Sequence, residues 1–390
     1  MKKDAAETKV KSPRFSTQQM ERMLLWILPI FIVVAVAFVV LLFWQPFSFY
    51  VPPVKPPHGE ETTTAPNPDD GGDPDPFVPV FSGGLLPTPP TANSDTAVLE
   101  SEIFSKYAIL IDADTGAILA GKDYDVKFSP ASMTKVMTLI VACEGLTAEQ
   151  LQTRVMIPNE LNAYVTTGAY RGTDNACFEA YERVKLVDLL YGISMKSYSD
   201  CAVMVASAVC PADTLAESER LFVERMNQKV AQMGLQNTHF DNVVGHESDE
   251  NYSTAADIAQ IMAYALQSDL ICLLLSEQSR ETYIGYVNKE GKDDEYRFTY
   301  YSTLFNSNPS TRNRMKAYED KYKVTFSLRQ GIRFCGGKTG TLGEASTGFV
   351  YSLASFVTVG DKTYIAVTGD TTLNYGVMKD AKTLYDNYIP

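Results

Sequence analysis

The sequence predicts an α+β domain, with one antiparallel sheet built from both ends of the domain and a helical subdomain built from its middle. Three observations carry this. The run Tyr107-Ala108-Ile109-Leu110-Ile111, a turn at Asp112-Ala113-Asp114-Thr115-Gly116 and the run Ala117-Ile118-Leu119-Ala120 read as strand, turn and strand. Near the C-terminus, Gly336 to Thr341, Thr347 to Val359, a turn at Gly360-Asp361 and Lys362 to Thr368 read the same way. Between these ends the apolar residues recur at helical spacing, and no internal repeat points to a solenoid.

Taken in order, the 390-residue chain changes character three times before the folded domain. Residues 1–22 form a polar tail carrying Lys2, Lys3, Lys9, Lys11, Arg14 and Arg22. From Met23 to Trp44 every residue except Pro29 is apolar, long enough to cross roughly 30 Å of hydrocarbon. Basic residues precede this span and none follows until Lys55, so residues 23–44 are expected to be an uncleaved transmembrane signal-anchor helix with the N-terminus cytoplasmic. A cleaved signal fits less well, because the run is too long and Gln45-Pro46 is not a small-residue cleavage site. Residues 45–98 are rich in proline, threonine, aspartate and glycine, a composition expected of an extended, disordered linker. At about 3.1 Å per residue it would reach on the order of 100 Å from a membrane. The domain proper is expected over 99–390, on the extracellular side.

Composition narrows the function. Apolar residues make up 45% and charged residues 21% of the chain, as in a globular protein. A net charge of −13 offers no basic footprint for phosphate, which argues against a nucleic-acid partner. The six cysteines (Cys143, Cys177, Cys201, Cys210, Cys272, Cys335) include no C-x-x-C pair, so zinc and thioredoxin-like readings lack support. They are read as small buried thiols, with disulfides permitted by export.

Within the domain, Ser129 is placed as an N-cap and Pro130 as the first residue of a helix that runs to Gly145. Thr147-Ala148-Glu149-Gln150 has the form of a capping box. Residues 183–193 have helical spacing, Ser199 is an expected N-cap for the apolar run Cys201 to Val209, and further helices are expected at 214–233, 254–267 and 374–387. Residues 306–330 look like a basic, solvated insertion.

The chemistry begins in the first of these helices. Ser132-x-x-Lys135 puts a hydroxyl and an amine on one face, beside a helix start whose N–H groups lack internal partners. Such a tetrad alone is weak, but Ser197-x-Ser199 and Lys338-Thr339-Gly340 follow it. That order resembles the penicillin-recognising serine acyl enzymes. Leu189-Leu190-Tyr191-Gly192 before Ser197, Glu224-Arg225-Met226-Asn227, the stretch from Met233-Gly234-Leu235 through Asn237-Thr238-His239-Phe240 to Gly245, and Tyr252-Ser253-Thr254-Ala255-Ala256-Asp257 sharpen the likeness. Over about residues 100–370 the chain resembles the D-alanyl-D-alanine carboxypeptidases, the low-molecular-weight penicillin-binding proteins of serine peptidase family S11.

The resemblance implies a β-lactamase/transpeptidase-like fold and removal of the terminal D-alanine from peptidoglycan stem peptides, with β-lactams as covalent inhibitors. It implies Ser132 as nucleophile, Lys135 as general base and Ser197 as proton relay. Lys338, Thr339, Gly340, Thr341 and Ser199 would bind substrate, and the N–H groups of Ser132 and Thr341 would form the oxyanion hole. Gly336, Gly337 and Gly340 would let a ligand approach their strand. Ser199 departs from the family, which has Asn there; its hydroxyl cannot offer the amide's paired donor and acceptor. His239, Asp241, His246 and Glu247 lie in the family's packing signature, so neither metal nor cofactor is expected. A β-lactamase shares all three motifs, but no glutamate between Ser199 and Lys338 fits the role of activating a deacylating water. A non-catalytic β-lactam sensor or cell-wall binding module is the remaining alternative.

Overall fold

The computed structural model describes residues 80–305, 327–344, 348–373 and 375–390. The expected tail and transmembrane span, most of the linker and most of the basic insertion lie outside these residues.

The first contacts of the folded body come earlier than residue 99. The Val80 and Phe81 amides donate to the carbonyls of Leu146 and Cys143, Phe81 is buried, and Thr91 bridges to Ala117. Strand β1 (Ala97–Val98) then pairs in parallel with β3 (Ile118–Lys122), which is antiparallel to β2 (Tyr107–Asp112). A proline-rich composition excludes a core of its own, yet a single phenylalanine and a few backbone donors are enough to lay such a segment over an existing one.

Residues Ala131–Thr134 form a tight 3-10 turn that leads into helix α1 (Lys135–Gly145). Thr147 and Gln150 make the expected capping box on the short α2 (Ala148–Gln152), and β4 (Arg154–Met156) follows. Arg183–Lys185 forms strand β5 rather than helix, and the helical spacing starts one residue later with α3 (Leu186–Tyr191). Pairing with β4 and β6 satisfies the backbone of β5, which side-chain spacing alone does not reveal. Then come α4 (Ser199–Val209), α5 (Leu215–Gln232) and α6 (Ala255–Ala265), the last two capped by Thr214 and Thr254. Helix α7 (Asp269–Ser276) and the hairpin of β6 (Ser279–Val287) and β7 (Asp293–Tyr301) complete the subdomain and add a second sheet, ordered β4-β5-β6-β7.

The C-terminal strands β8 (Arg333–Glu344), β9 (Gly348–Val359) and β10 (Lys362–Thr371) return to the first sheet, whose order is β1-β3-β2-β10-β9-β8. β10 pairs with β2 and so joins the two ends of the domain, as expected. Helix α8 (Gly376–Tyr388) packs Leu384 and Tyr385 against one face of this sheet, while α1 and α6 belong to the core on the other. The arrangement leaves β8 at the sheet edge, beside the 3-10 turn.

Candidate active site

The turn before α1 is not built as the sequence suggested. Ser129 makes no capping bond and its hydroxyl is buried without a partner, while Pro130 stands where the cap was expected. Ala131 adopts φ +51°, a left-handed conformation that costs a residue with a Cβ roughly 1–2 kcal/mol. Two close contacts hold it there. A Cβ on Gly245 would lie 1.8 Å from the Ala131 carbonyl oxygen, and one on Gly340 would lie 3.1 Å from the Pro130 carbonyl oxygen. The turn is thus wedged between the loop at 241–247 and the edge strand β8.

That wedge presents Ser132 to the cleft. Lys135 Nζ stands 3.2 Å from Ser132 Oγ and donates to the Val244 carbonyl at 2.7 Å. Lys135 is 1% exposed. Burial, and after it the charge of Lys338, holds its pKa well below the usual lysine range, with Asp174 opposing. That shift favours the unprotonated amine, the form able to accept a proton.

Ser197 ends a wide π-type turn over Gly192–Lys196 and sits in the left-handed region at φ +60°. Lys338 on β8 donates to Ser197 Oγ at 3.0 Å and to the Thr339 carbonyl at 2.9 Å. Lys338 is also 1% exposed, and burial pulls its pKa down to about 7, again opposed by Asp174. Two lysines from distant segments thus each address one serine. Strained backbone at Ala131 and Ser197 marks both serines as held by their surroundings rather than by local preference.

Ser132 and Ser197 open into one cleft of about 630 Å³, together with Thr339, Gly340 and Thr341. Arg171 to Asp174 and Val244 to Glu247 form part of its wall. Ser199 does not take the place expected of it. It is the first residue of α4 rather than its cap, is fully buried, and its hydroxyl has no partner and does not reach the cleft wall. Asp174 is a cleft residue that sequence reasoning missed. Its carbonyl accepts from the Ser199 amide at 2.9 Å, and Asp200 ties the next residues down by accepting from the Ala176 and Cys177 amides at 3.1 and 2.9 Å. The Gly-Thr-Asp-Asn turn at 172–175 was the only signal of it.

Gly336 and Gly337 of β8 serve packing. A Cβ at Gly336 would lie 2.2 Å from the Leu275 carbonyl oxygen and one at Gly337 the same distance from that of Ala354, so these sites admit close protein neighbours rather than a ligand. His239 pairs its Nδ1 with the Glu250 carbonyl, and His246 packs edge-on to Tyr170 in the cleft wall. All six thiols are free; Cys177 is exposed and Cys272 partly so, against the expectation that all are buried.

A family model described as D-alanyl-D-alanine carboxypeptidase matches residues 93–370. The carboxypeptidase DacF of Bacillus subtilis is 29% identical over 229 residues, 58% of this chain and 54% of that protein. DacA of Escherichia coli is 33% identical over 161 residues, 41% of this chain and 38% of that protein. The chain therefore spans about half or less of these curated relatives. Among solved structures, the Streptomyces K15 DD-transpeptidase superposes with a TM-score of 0.60 at 26% identity, covering 74% of this chain and 98% of that one. The described fold is accordingly that of the penicillin-binding DD-peptidases, shared with β-lactamases.

Proposed function

Because the chain belongs to the D-alanyl-D-alanine carboxypeptidase family of serine peptidases, we propose that it removes the terminal D-alanine from peptidoglycan stem peptides through an acyl-enzyme on Ser132. The observation that carries the reading is the buried Lys135 amine 3.2 Å from a cleft hydroxyl, with Lys338 set on Ser197, which opens into the same cleft. A serine hydroxyl is a weak nucleophile until an adjacent base takes its proton. Lys135 takes that proton as Ser132 Oγ attacks the penultimate carbonyl carbon. Ser197, oriented by Lys338, passes its proton to the departing amine and takes the Ser132 proton from Lys135, so D-alanine leaves and the Lys135 amine is free again. Water then attacks the ester as Lys135 takes its proton, and Lys135 returns that proton to Ser132 Oγ as the shortened peptide departs. Burial makes Lys338 a poor direct contact for the substrate carboxylate, so the hydroxyls of Thr339 and Thr341 fall to that task. The same acylation by a β-lactam would leave a long-lived adduct.

The apolar span 23–44 would hold the enzyme in the cell membrane with the catalytic domain outside. Incubating the full-length chain, in detergent, with a pentapeptide ending in D-Ala-D-Ala and separately with penicillin tests the reading. Free D-alanine and a persistent penicillin adduct support it. Rapid penicillin turnover would make the chain a β-lactamase, and an adduct without D-alanine release would make it a sensor.

A further inference from the structure

Beyond the four polar groups of the site, one buried carboxylate connects two parts of the cleft wall. Glu219 lies on α5, is 6% exposed, and is absent from the cleft lining. Its Oε1 receives two hydrogen bonds from different segments, one from the Tyr170 hydroxyl and one from the Val243 amide at 3.3 Å. Its Oε2 receives the hydroxyl of the half-buried Tyr164 at 2.8 Å. All three donors are neutral, and among the described residues Glu219 has no ion-pair partner. Arg220 beside it is turned outward to Glu217 and Glu224. Burial, and less strongly the neighbouring Asp241, pushes the Glu219 carboxyl up to about 6. A carboxylate at this buried position is costly by itself, and its three donors offset part of that cost.

The two segments it joins are the ones that matter to the cleft. Tyr170 precedes Arg171–Asp174, which line the wall, and its carbonyl accepts from the Thr173 amide and hydroxyl. Val243 precedes Val244, whose carbonyl holds Lys135 Nζ, and the Val243 carbonyl is itself held by the Thr138 hydroxyl at 2.7 Å. Tyr170 also packs edge-on against His246 on the same loop, with ring centroids 6.0 Å apart. Moving Val243 moves the Lys135 acceptor and Gly245, which is wedged against the Ala131 carbonyl beside the nucleophile.

We propose that Glu219 is a positioning residue, whose Oε1 clasps the 170–174 and 241–246 loops together and so fixes the Val244 carbonyl on which Lys135 hangs. The proposal rests on Lys135 acting as the base for Ser132. It demands an oxygen at that point and does not demand a charge. Glu219→Gln can keep its amide oxygen under Tyr170 and Val243, while its amide nitrogen donates to the Tyr164 hydroxyl, which is free to turn toward water. Glu219→Met keeps the length and removes the oxygen.

The test measures penicillin acylation of full-length wild type, Glu219→Gln and Glu219→Met in detergent, per titrated active site, together with amide exchange of the two loops. Glu219→Met is expected to lower the acylation rate constant tenfold or more while the affinity of the reversible complex changes less than threefold. Glu219→Gln is expected to stay within threefold of wild type in both. Amide exchange in the 170–174 and 241–246 loops is expected to rise together in the Met variant only. Should Glu219→Met fail to fold, Tyr170→Phe, which removes one of the two donors, is expected to give the same split at about threefold. A wild-type acylation rate in the Met variant, an equal loss in the Gln variant, or faster exchange in one loop alone overturns the clasp. Failure of the Ser132 reading is distinct, since it would appear as a wild-type chain that penicillin does not acylate, and the exchange result would still decide whether the clasp exists.

Discussion

Ser132 meets Lys135, Ser197 meets Lys338, and both serines line one cleft although 206 positions separate the first of the four from the last; their identities were legible because each chemistry demands a particular side chain at a particular spacing. The geometry of their support was not legible. Ser129 and Ser199 are both good helix caps by residue type, and neither caps, because tertiary contacts at Gly245 and Asp174 decide the local backbone. The lysines carry the sharpest predictions. With burial holding Lys135 well below its usual range and pulling Lys338 down to about 7, penicillin acylation of the free enzyme is expected to fall on the alkaline side of about pH 7 as Lys338 loses its charge. An alkaline limb near 10.5, the ordinary lysine value, would contradict that assignment. The same shift has a stability consequence. Lys338 binds its proton more weakly folded than unfolded, so from about pH 7 to 10.5 the unfolded chain holds the extra proton and stability rises with pH. Below that window the buried lysine is a full cost. Lys338→Met is therefore expected to abolish acylation yet raise stability at pH 7 by about 1–4 kcal/mol, read by chemical denaturation. A destabilised Met variant would mean that the bonds to Ser197 and Thr339 outweigh the cost of burial.

At the scale of elements, the nucleophile turn and the edge strand β8 depend on each other through close backbone contact. Gly245 has φ +79°, and any side chain there meets the Ala131 carbonyl. Gly245→Ala is expected to cost more than about 1 kcal/mol of stability and to slow acylation at least tenfold, measured per folded molecule. Unchanged acylation would show that the turn holds Ser132 without the loop. The helices capped by Thr147, Thr214 and Thr254 were legible because a cap is a local device that its own few residues complete. The hairpin β6–β7 was not. Asp293-Asp294-Glu295 opens β7 with exposed charges, and its partner strand alternates only over Glu281 to Ile284, so long-range pairing rather than local pattern makes the strands.

At the scale of the whole molecule, the sheet that carries Lys338 is closed by residues far apart in sequence, and the apolar runs broken by turns at both ends of the domain made that legible. The means of closure was hidden. Asp380 on α8 is fully buried and accepts from the Phe104 and Ser105 amides at 3.0 and 2.7 Å and from the Ser105 hydroxyl at 2.6 Å. It ties the C-terminal helix to the segment that enters β2. Asp380→Ala leaves the buried Ser105 amide and the part-buried Phe104 amide without acceptors and is expected to lower stability by about 3 kcal/mol, read as a shift in the denaturation midpoint at unchanged slope. A loss under about 0.5 kcal/mol would mean that water or a neighbour replaces the carboxylate. The assembled molecule has one central claim to answer, that Ser132 is the acylated atom's owner. Intact-mass spectrometry of the full-length chain after penicillin, followed by peptide mapping, tests it most directly. One adduct on the peptide bearing Ser132, absent from Ser132→Ala, is the predicted result; an adduct that persists in Ser132→Ala, or that maps to another residue, would contradict it.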